Sequence, residues 1–320
     1  EKHFTAQRDA LAASPLGITV PQALTDWKNS VDRPVISPDG SQILWLESDP
    51  YRRAALMRFD RRSGKTSTEL QIDGAGGLAL SPDGRSAVMS RINYFRQNYT
   101  FKDLVLFRRD RRTLVALTDG LRADNPAISP DGRRVAFEAN GTGTRRLAIM
   151  DLPDTSLPSS ESSIDARRFP VAEIWRARAA APVSFPLKLK PYSQVYTPAW
   201  SPDGKQLAMS LWQEGGYRDI VTFEPATGQL RYITHDRALD LEPRYSPDGE
   251  YLYFVSDRSG IYNVYAHHLK TDTTWQVSNV VSGAFAPAPA ADGTLLACVG
   301  FVSEGYRIQT LALDPGRFVL

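Results

Sequence analysis

Short apolar runs rich in β-branched and aromatic residues recur along the chain, and each follows a polar turn. Apolar runs of this kind lie at 43–46, 88–89, 135–137, 207–209, 252–255 and 295–299. Runs this short, bounded by turn residues, are typical of buried strands and not of helices. The pattern therefore predicts an all-β protein.

The turn before each run is a repeated motif. Ser-Pro-Asp-Gly stands at 37–40, 81–84, 129–132, 201–204 and 246–249, and a degenerate Ala-Ala-Asp-Gly stands at 290–293. Proline presets one corner of a tight turn, aspartate bonds the backbone beyond it, and glycine accepts a positive φ. The motif aspartates are 44, 48, 72, 45 and 44 residues apart. A period near 45 predicts a six-bladed β-propeller of four-stranded antiparallel blades.

The strand before each motif has a small residue four positions ahead of the aspartate. These residues are Val35, Ala79, Ala127, Ala199 and Ala288. Because side chains alternate along a strand, we expect this position to line the central channel. Arg244 occupies it in the fifth repeat, and a confined arginine needs a carboxylate or carbonyl partner. Glu242, two residues earlier, is the expected partner, and Arg244 is either a ligand anchor or a solvated channel residue.

The ends of the chain predict how the ring closes. Thr25 lies 14 residues before Asp39, as Thr234 and Ser278 lie before their own motif aspartates. Residues 18–25 therefore resemble the last strand of a blade that has no preceding blade in sequence. We expect this N-terminal strand to pair beside 306–313, which removes open sheet edges.

The 72-residue gap predicts an insertion in blade three, at about 153–182. Its first half is rich in serine, and 170–181 could form a short helix that either caps the propeller or docks a partner. The remaining repeats cover nearly the whole chain, so residues 1–320 are interpreted as a single propeller domain.

Composition narrows the function classes only slightly. Apolar residues make up 42% of the 320 residues, charged residues 23%, and the net charge is +2. No run of 18 apolar residues exists, and the single Cys298 excludes an internal disulfide. Because the sequence starts at Glu1, we read it as a processed protein or a segment of a longer one.

The sequence offers little catalytic chemistry. It contains no Gly-x-Ser-x-Gly elbow, phosphate loop or Cys-x-x-Cys pair, and its only histidines are His3, His235, His267 and His268. Cys298 stands where other repeats have large apolar residues, so we expect it to be buried. We therefore predict no catalytic residues, no metal and no cofactor.

Strand order assigns the loops to two faces. The turn face carries the motif turns and the hairpins between third and fourth strands. The loop face carries the hairpins between second and third strands and the connections between blades. The loop face collects arginine and aromatic residues, which are favoured at protein interfaces, although they could also pack on their own loops. The predicted partner-binding residues are Arg52, Arg53, Tyr94, Arg96, Tyr99, Trp212, Tyr217, Arg258 and Tyr262.

The turn face of the first three blades is rich in arginine. Its basic flank is represented by Arg108, Arg109, Arg111 and Arg112. Simple solvation, an acidic protein and an anionic membrane surface could each account for this charge. No nucleic-acid partner is expected, because no recognised binding motif accompanies the basic residues.

The repeat resembles a known family. Residues 241–249, Leu-Glu-Pro-Arg-Tyr-Ser-Pro-Asp-Gly, followed by Tyr-Phe-Val-Ser-Asp-Arg-Ser-Gly-Ile-Tyr at 253–262, look like the TolB-type propeller repeat. That family includes a periplasmic protein that binds a peptidoglycan-associated lipoprotein, and similar propellers occur in Tricorn-type and prolyl-oligopeptidase-type peptidases. The resemblance implies an extracytoplasmic location, either periplasmic or associated with the outer membrane.

Three function classes follow. The first is a non-catalytic module that binds or scaffolds a protein or peptide in the bacterial cell envelope. The second is the substrate-gating propeller of a larger serine peptidase whose catalytic domain lies outside this chain. The third is a propeller enzyme such as a lyase or lactonase, which the scarcity of histidine disfavours.

Overall fold

The computed structural model describes residues 2–26, 30–72, 74, 76–95, 99–153, 164–165 and 181–320. It contains one α-helix, α1 at Lys2–Ala12, a 3-10 helix at Pro315–Arg317 and 25 strands, of which β1 is Gln22–Ala23. Within these residues no helix has the length and apolar character needed to cross a membrane.

The strands follow the repeats in chain order. The first three repeats contain β2–β5 (Ser30–Ile36, Gln42–Asp49, Arg52–Asp60, Lys65–Gln71), β6–β9 (Gly76–Leu80, Ser86–Phe95, Tyr99–Arg108, Thr113–Ala116) and β10–β12 (Ala123–Ile128, Arg134–Asn140, Arg145–Asp151). The short strands β13 (Ile164–Asp165) and β14 (Val183–Ser184) follow. The last three repeats contain β15–β18 (Gln194–Trp200, Leu207–Trp212, Arg218–Glu224, Gln229–Tyr232), β19–β22 (Asp240–Tyr245, Tyr251–Ser256, Asn263–His268, Thr273–Gln276) and β23–β25 (Ala284–Pro289, Leu295–Val302, Gly305–Ala312).

Each repeat folds as an antiparallel meander, which confirms an all-β propeller built from four-stranded sheets. The described strands form five hydrogen-bonded sheets, and this differs from the six separate blades that the motif count predicts. The third and fourth repeats share one sheet because β12 pairs in parallel with β15 at Arg145 and Gln194. A tight connection into β15 brings these two strands together.

The motif turns have the local geometry that their sequence predicts. The serine hydroxyl donates to the aspartate in five of them, for example from Ser37 to Asp39 at 2.5 Å. Gly40 has a φ of +70°, which only glycine adopts without strain, and its amide donates to the Ser37 carbonyl at 2.8 Å. In the degenerate sixth motif Thr294 donates to Asp292 instead. The turn is therefore stabilised by residues next to one another in sequence.

The core consists of apolar clusters between consecutive repeats. One cluster packs Leu44 and Leu56 of the first repeat against Met89 and Phe107 of the second. Another packs Trp45 of the first repeat against residues of the last repeat, including Ala297, Val299 and Ile308. The first strands of the six repeats also contact one another in sequence order, and β23 contacts β2. Packing between repeats, and not within one, therefore holds the sheets together.

The N-terminal segment bonds to the last repeat. Gln22 and Ala23 pair antiparallel with β25 opposite Thr310 and Gln309. The Thr25 hydroxyl accepts a hydrogen bond from Ile308 N at 3.1 Å, just as Thr234 accepts one from Ile220 N within its own repeat. The strand is shorter than the expected 18–25, because Pro21 has no N–H to donate.

Most of the insertion predicted at about 153–182 lies outside the described residues, including most of the expected helix at 170–181. Its two described strands pair with different repeats. β13 pairs with β9 of the second repeat, and β14 pairs with β12 of the third. Val183–Ser184 thus occupies the place of an outer strand in the third repeat.

Candidate site at the loop-face end of the channel

The first strand of every repeat is interrupted by a bulge close to its loop-face end. Strand registers shift there, and the bulged residues Gly77, Asn125, Thr197, Glu242 and Ala286 have positive φ. Gly77 also allows close approach, because a Cβ at this position would lie 2.8 Å from the Asn125 backbone. A bulge frees backbone N–H groups from the ladder. These groups need other acceptors near the channel axis.

Carboxylates from neighbouring repeats accept these backbone hydrogen bonds. Gly77 N donates to Asp32 Oδ2, and Thr197 N donates to Glu138 Oε1, both at 2.6 Å. Ala286 N donates to Glu242 Oε2, also at 2.6 Å. Each acid therefore joins one repeat to the next, and its charge is already engaged.

Arg33 reaches across the channel from the first repeat to the fifth. Its Nε lies 3.5 Å from Glu242 Oε1 and 3.8 Å from Asp32 Oδ1. Burial alone would lower the pKa of Arg33, but Glu242 and then Asp32 outweigh burial and raise this pKa. Arg33 therefore occupies the acidic surroundings that the sequence analysis gave to Arg244.

The expected pairing of Arg244 with Glu242 is wrong. Among the described residues Glu242 forms its ion pair with Arg33, and Arg244 Nη1 donates to the carbonyls of Pro243 at 3.3 Å and Pro198 at 3.4 Å. Burial, and then the nearby Arg33, lower the pKa of Arg244 to about 10. Sequence proximity favoured Glu242, but the bulge at Glu242 turns its carboxylate toward Ala286 and Arg33.

Two further ion pairs surround the channel. Glu138 is fully buried and lies 3.0 Å from Arg145 Nη1. Desolvation is the main cause that raises the pKa of Glu138. Asp124 accepts from Lys102 Nζ at 2.8 Å, and this interaction keeps the pKa of Asp124 low although burial opposes it. The Lys102–Asp124 pair joins the second and third repeats, whereas Glu138 and Arg145 lie on adjacent strands of the third repeat.

A tyrosine between two arginines completes the site. The guanidinium of Arg145 lies 4.6 Å from the centre of the Tyr196 ring, and that of Arg218 lies 3.8 Å from it. Arg145 and Arg218 begin the third strands of the third and fourth repeats, whereas Tyr196 lies on the first strand of the fourth. The sequence analysis missed all three residues, because Arg145 meets Tyr196 only when the third and fourth repeats come together, and Tyr196 meets Arg218 across an intervening strand.

Several predicted partner-binding residues lie at this face. Tyr99 and Tyr217 have exposed fractions of 59% and 46%, and Tyr99 stacks on Phe101 with ring centres 6.2 Å apart. Trp212 pairs across the hairpin with Arg218, and Tyr262 packs against Phe285. Tyr99 and Tyr217 are therefore accessible at the predicted surface, whereas Tyr262 is packed against a residue of the chain itself.

The predicted partner-binding arginines differ in whether other residues of the chain already bind them. Arg258 forms ion pairs with Asp236 at 3.3 Å and Asp240 at 3.2 Å and packs near Phe254 and Tyr265, so its own loops hold it. For the remaining predicted partner-binding residues, the structure gives only their positions along the chain. Arg52 and Tyr94 lie on strands β4 and β7, Arg53 follows Arg52, and Arg96 lies outside the described residues.

Further exposed apolar side chains also lie on the loop face. Tyr51 is 94% exposed at the β3–β4 turn, and Phe301 and Tyr306 face each other across the β24–β25 turn with ring centres 5.3 Å apart. Tyr192 and Val281, in connections that lead into β15 and β23, are also exposed. The sequence signal that could identify these residues is their position at the tips of predicted hairpins and in the connections between repeats.

The basic flank on the turn face is corrected by the structure. Arg108 is only 5% exposed, and Arg109 forms a bidentate pair with Glu69, with Nε–Oε1 at 2.5 Å and Nη2–Oε2 at 2.9 Å. Arg112 Nη2 donates to the Glu69 carbonyl at 2.9 Å, while Arg111 is exposed. The arginines therefore do not form the free hairpin-tip patch that the sequence analysis expected, because buried Glu69 organises two of them.

Cys298 and His267 are buried in the structure. Cys298 is fully buried, as expected, and burial raises the pKa of its thiol to about 12. His267 is buried and lies 3.0 Å from the Thr274 hydroxyl through Nδ1. In the part of the chain that the structure describes, no three histidine, cysteine or acidic residues are grouped so that they could hold a metal ion.

Comparison with known proteins agrees with this architecture. Residues 190–317 match the TolB β-propeller domain model. A TolB homologue of Chlorobium luteolum is 29% identical over 194 residues, covering 59% of this chain and 37% of that protein. The chain thus spans well under half of the length of this curated relative.

Solved structures show the same fold at low identity. TolB from Acinetobacter baumannii is 18% identical, with a TM-score of 0.58 over 77% of this chain and 53% of that one. A puromycin-hydrolyzing peptidase of Mycobacterium tuberculosis is also 18% identical, with a TM-score of 0.54 over 94% of this chain and 49% of that one. These likenesses show the fold alone.

The sheets and the cross-repeat packing define this chain as a β-propeller. The family model matched by residues 190–317 and the Chlorobium relative support a TolB-like propeller family for this chain.

Proposed function

We propose that this propeller is a non-catalytic module that binds a protein or peptide on its loop face, as part of a binding or scaffolding system in the bacterial cell envelope. The observation that carries the proposal is that exposed aromatic side chains recur at the loop-face hairpins of four repeats. Tyr51, Tyr99, Tyr217, Phe301 and Tyr306 all lie at hairpins of that face.

The physical argument is the cost of exposing these groups to water. Large apolar side chains gathered on one side of a monomer are typical of interaction surfaces, and tyrosine gives contact area with little entropy loss. The turn face lacks a comparable set among the described residues, since its hairpin tips carry mostly polar side chains. This asymmetry favours a partner on the loop face.

The proposed location in the cell envelope rests on similarity to TolB proteins. The Chlorobium relative is a TolB homologue, and the structural neighbours include TolB itself. An extracytoplasmic site, either periplasmic or at the outer membrane, is therefore part of the proposal, and fractionation of the native host tests it. Recovery of the native protein with the cytoplasmic fraction would contradict this location.

Site-specific photo-cross-linking tests the binding face. A benzoylphenylalanine at Tyr217 should cross-link a polypeptide in an envelope extract, because this side chain is exposed beside the channel. The matched control carries the same group at Thr271, an exposed residue in a turn-face hairpin. Equal labelling from both positions, or labelling only from Thr271, would contradict a loop-face partner.

The same experiment addresses the alternative of a substrate-gating propeller in a larger serine peptidase. The structural similarity to the Mycobacterium peptidase is the reason to consider this alternative. The matched region is about half of that chain, so the peptidase has a further region outside the match. A loop-face cross-link to an α/β-hydrolase domain would favour gating, whereas a cross-link to a non-enzymatic envelope protein would favour the binding module.

We also propose that residues 1–320 form one ring of six blades, with β1 closing the last blade. Pairing of β1 with β25, the Thr25 contact to Ile308 and packing of Trp45 against the last repeat support this arrangement. Deleting residues 1–25 should expose an edge strand and cause aggregation. Deleting only residues 1–13, which retains β1 and Thr25, is the control and should leave the protein monomeric. A monomeric 1–25 deletion with unchanged melting would contradict closure by β1.

A further inference from the structure

We propose that Arg218, stacked on Tyr196 opposite Arg145, anchors a carboxylate of the peptide that the loop face binds. This inference rests on the proposed function and adds the chemistry of the bound group. The carboxylate could come from an aspartate or glutamate side chain or from the C-terminus of the peptide.

The first argument is that Arg218 differs from Arg145, Arg33 and Lys102, each of which has a carboxylate partner. Arg145 is paired with Glu138 at 3.0 Å and also donates to Asn140 at 2.9 Å. Arg33 is paired with Glu242, and Lys102 with Asp124. Among the described residues Arg218 has no carboxylate partner, and its hydrogen bond is from Nε to the Ser210 hydroxyl at 3.3 Å.

The second argument is that no nearby acid is available to pair with Arg218. Glu138 and Glu242 influence its charge from a distance, but both accept backbone hydrogen bonds and pair with other arginines. Burial is the main cause that lowers the pKa of Arg218, and Arg145 lowers it further. A carboxylate arriving at this position would compensate a half-buried positive charge, which is the main energetic gain of charge-assisted pairing.

The third argument is preorganisation. Stacking on Tyr196 fixes the plane of the guanidinium, and the bond from Nε directs the remaining N–H groups away from Ser210. A planar fork held in this way matches the two oxygens of a carboxylate. Less side-chain entropy is then lost when the ligand binds.

The fourth argument is the surrounding surface. Exposed Tyr217 precedes Arg218, Trp212 lies opposite it in the hairpin, and Tyr262 is close enough for Arg218 to influence its pKa. Aromatic residues around one arginine are typical of the centre of a peptide interface. A single recessed guanidinium suits one carboxylate on a peptide better than the plane of headgroups in an anionic membrane.

The test uses phage-displayed peptide libraries panned on the full chain. One library presents random peptides with a free C-terminus, and a second presents them internally so that only side chains can supply a carboxylate. We expect enriched peptides to carry an acidic residue, or to be recovered only with a free C-terminus. Enriched peptides are then synthesised and their affinities measured on the wild type and the variants.

Arg218→Gln should weaken binding of these peptides by about tenfold or more, as expected for loss of a charge-assisted hydrogen bond. Arg218→Lys should recover part of the affinity, because it restores the charge without the fork. Arg237→Gln is the matched control, since Arg237 is an exposed arginine in a loop-face connection, and it should change affinity less than twofold. Melting temperatures check that each variant is folded.

The outcomes separate this inference from the proposed function. Peptides that bind equally well to Arg218→Gln, or that contain no acid and need no free C-terminus, overturn the carboxylate anchor and leave the peptide-binding face intact. Libraries that enrich no peptide overturn both. Arg218-dependent binding to phosphatidylglycerol vesicles, without binding to phosphatidylcholine vesicles or peptides, would assign the arginine to a membrane and also overturn the inference.

Discussion

The two faces of this propeller use charge in opposite ways. On the turn face, each motif aspartate bonds residues within its own turn, and Arg109 is held by Glu69 of the preceding repeat. On the loop face, Glu138 and Glu242 each bond a backbone N–H of the following repeat, and Glu242 also pairs with Arg33 of the first repeat. The turn face is therefore largely satisfied locally, whereas the loop face ends in a shared polar cluster.

The faces differ in their apolar surface as well. Exposed aromatic residues such as Tyr51 and Tyr217 lie on the loop face, and Tyr217 directly precedes Arg218, which lacks a carboxylate partner among the described residues. The turn face has charge in abundance, but much of it is engaged. The comparison shows that the number of arginines on a surface is a poor guide to binding, because the pairing state of each arginine decides what it can hold.

The largest expected change in stability comes from Glu138, in the shared polar cluster of the loop face. Glu138→Ala should lower the free energy of unfolding by about 3 kcal/mol, because it leaves the Thr197 amide and Arg145 without their buried acceptor. Denaturant unfolding measures this change. Glu214→Ala, at an exposed hairpin position of the same face, is the control and should stay within about 0.5 kcal/mol. Equal stability of the two variants would show that the acid does not join the repeats.

The next largest change in stability should come from the ion pair between Arg109 and Glu69 on the turn face. Arg109→Ser should lower the free energy of unfolding by about 2 kcal/mol, because buried Glu69 loses a bidentate partner. Arg111→Ser, a neighbouring exposed arginine, should change stability by less than about 0.5 kcal/mol. If both variants unfold alike in urea, Arg109 is solvated surface and the contrast between the faces fails.

A smaller effect should appear in acid, at the motif turns. The hydrogen bond from Ser37 is the main cause that lowers the pKa of Asp39 to about 2, from an unperturbed value of 3.8. A depressed pKa in the folded state adds stability above the unperturbed pKa that is lost as pH falls toward 2. Stability measured between pH 5 and 2 should therefore decrease across this window, and Asp39→Asn should reduce the slope. An unchanged slope would contradict the role of the carboxylate.

The smallest effect on stability should come from the exposed loop-face aromatics. Tyr217→Ser should alter the free energy of unfolding by less than about 0.5 kcal/mol, because the residue is an exposed one at a hairpin. The same change should reduce binding of the peptides enriched on the wild type. Tyr232→Ser, at an exposed position on an outer strand, is the control for binding. A large loss of stability would identify Tyr217 as part of the fold and not of the interface.

Much of the architecture could be predicted from local pattern. The motif turns, the apolar strands and the burial of Cys298 follow from residues within one repeat, and the structure agrees with them. The hydrogen bonding that merges the third and fourth repeats was not predictable, because it depends on how the chain re-enters β15. Helix α1 was also missed, since it lies outside every repeat.

The candidate site was predicted only in part. The sequence singled out Arg244 as the charged residue at a repeat position otherwise filled by valine or alanine, and it assigned Tyr99 and Tyr217, which are exposed, to the loop face. The partner of Arg244 was wrong, and Arg33, Tyr196 and Arg218 were missed. A channel contact joins residues from different repeats, and no local pattern specifies which of them will meet.

By itself, the sequence determined the repeat unit, the turn chemistry and the class of the fold, because these depend on side chains a few residues apart. Tertiary structure alone decided which charges are neutralised. Asp32 meets Gly77, 45 residues away, and Glu138 meets Thr197, 59 residues away. Such contacts form only when the bulged first strands converge on the channel axis. Because an unpaired charge is costly in this buried region, each carboxylate must bond to the donors that the neighbouring strands bring near it.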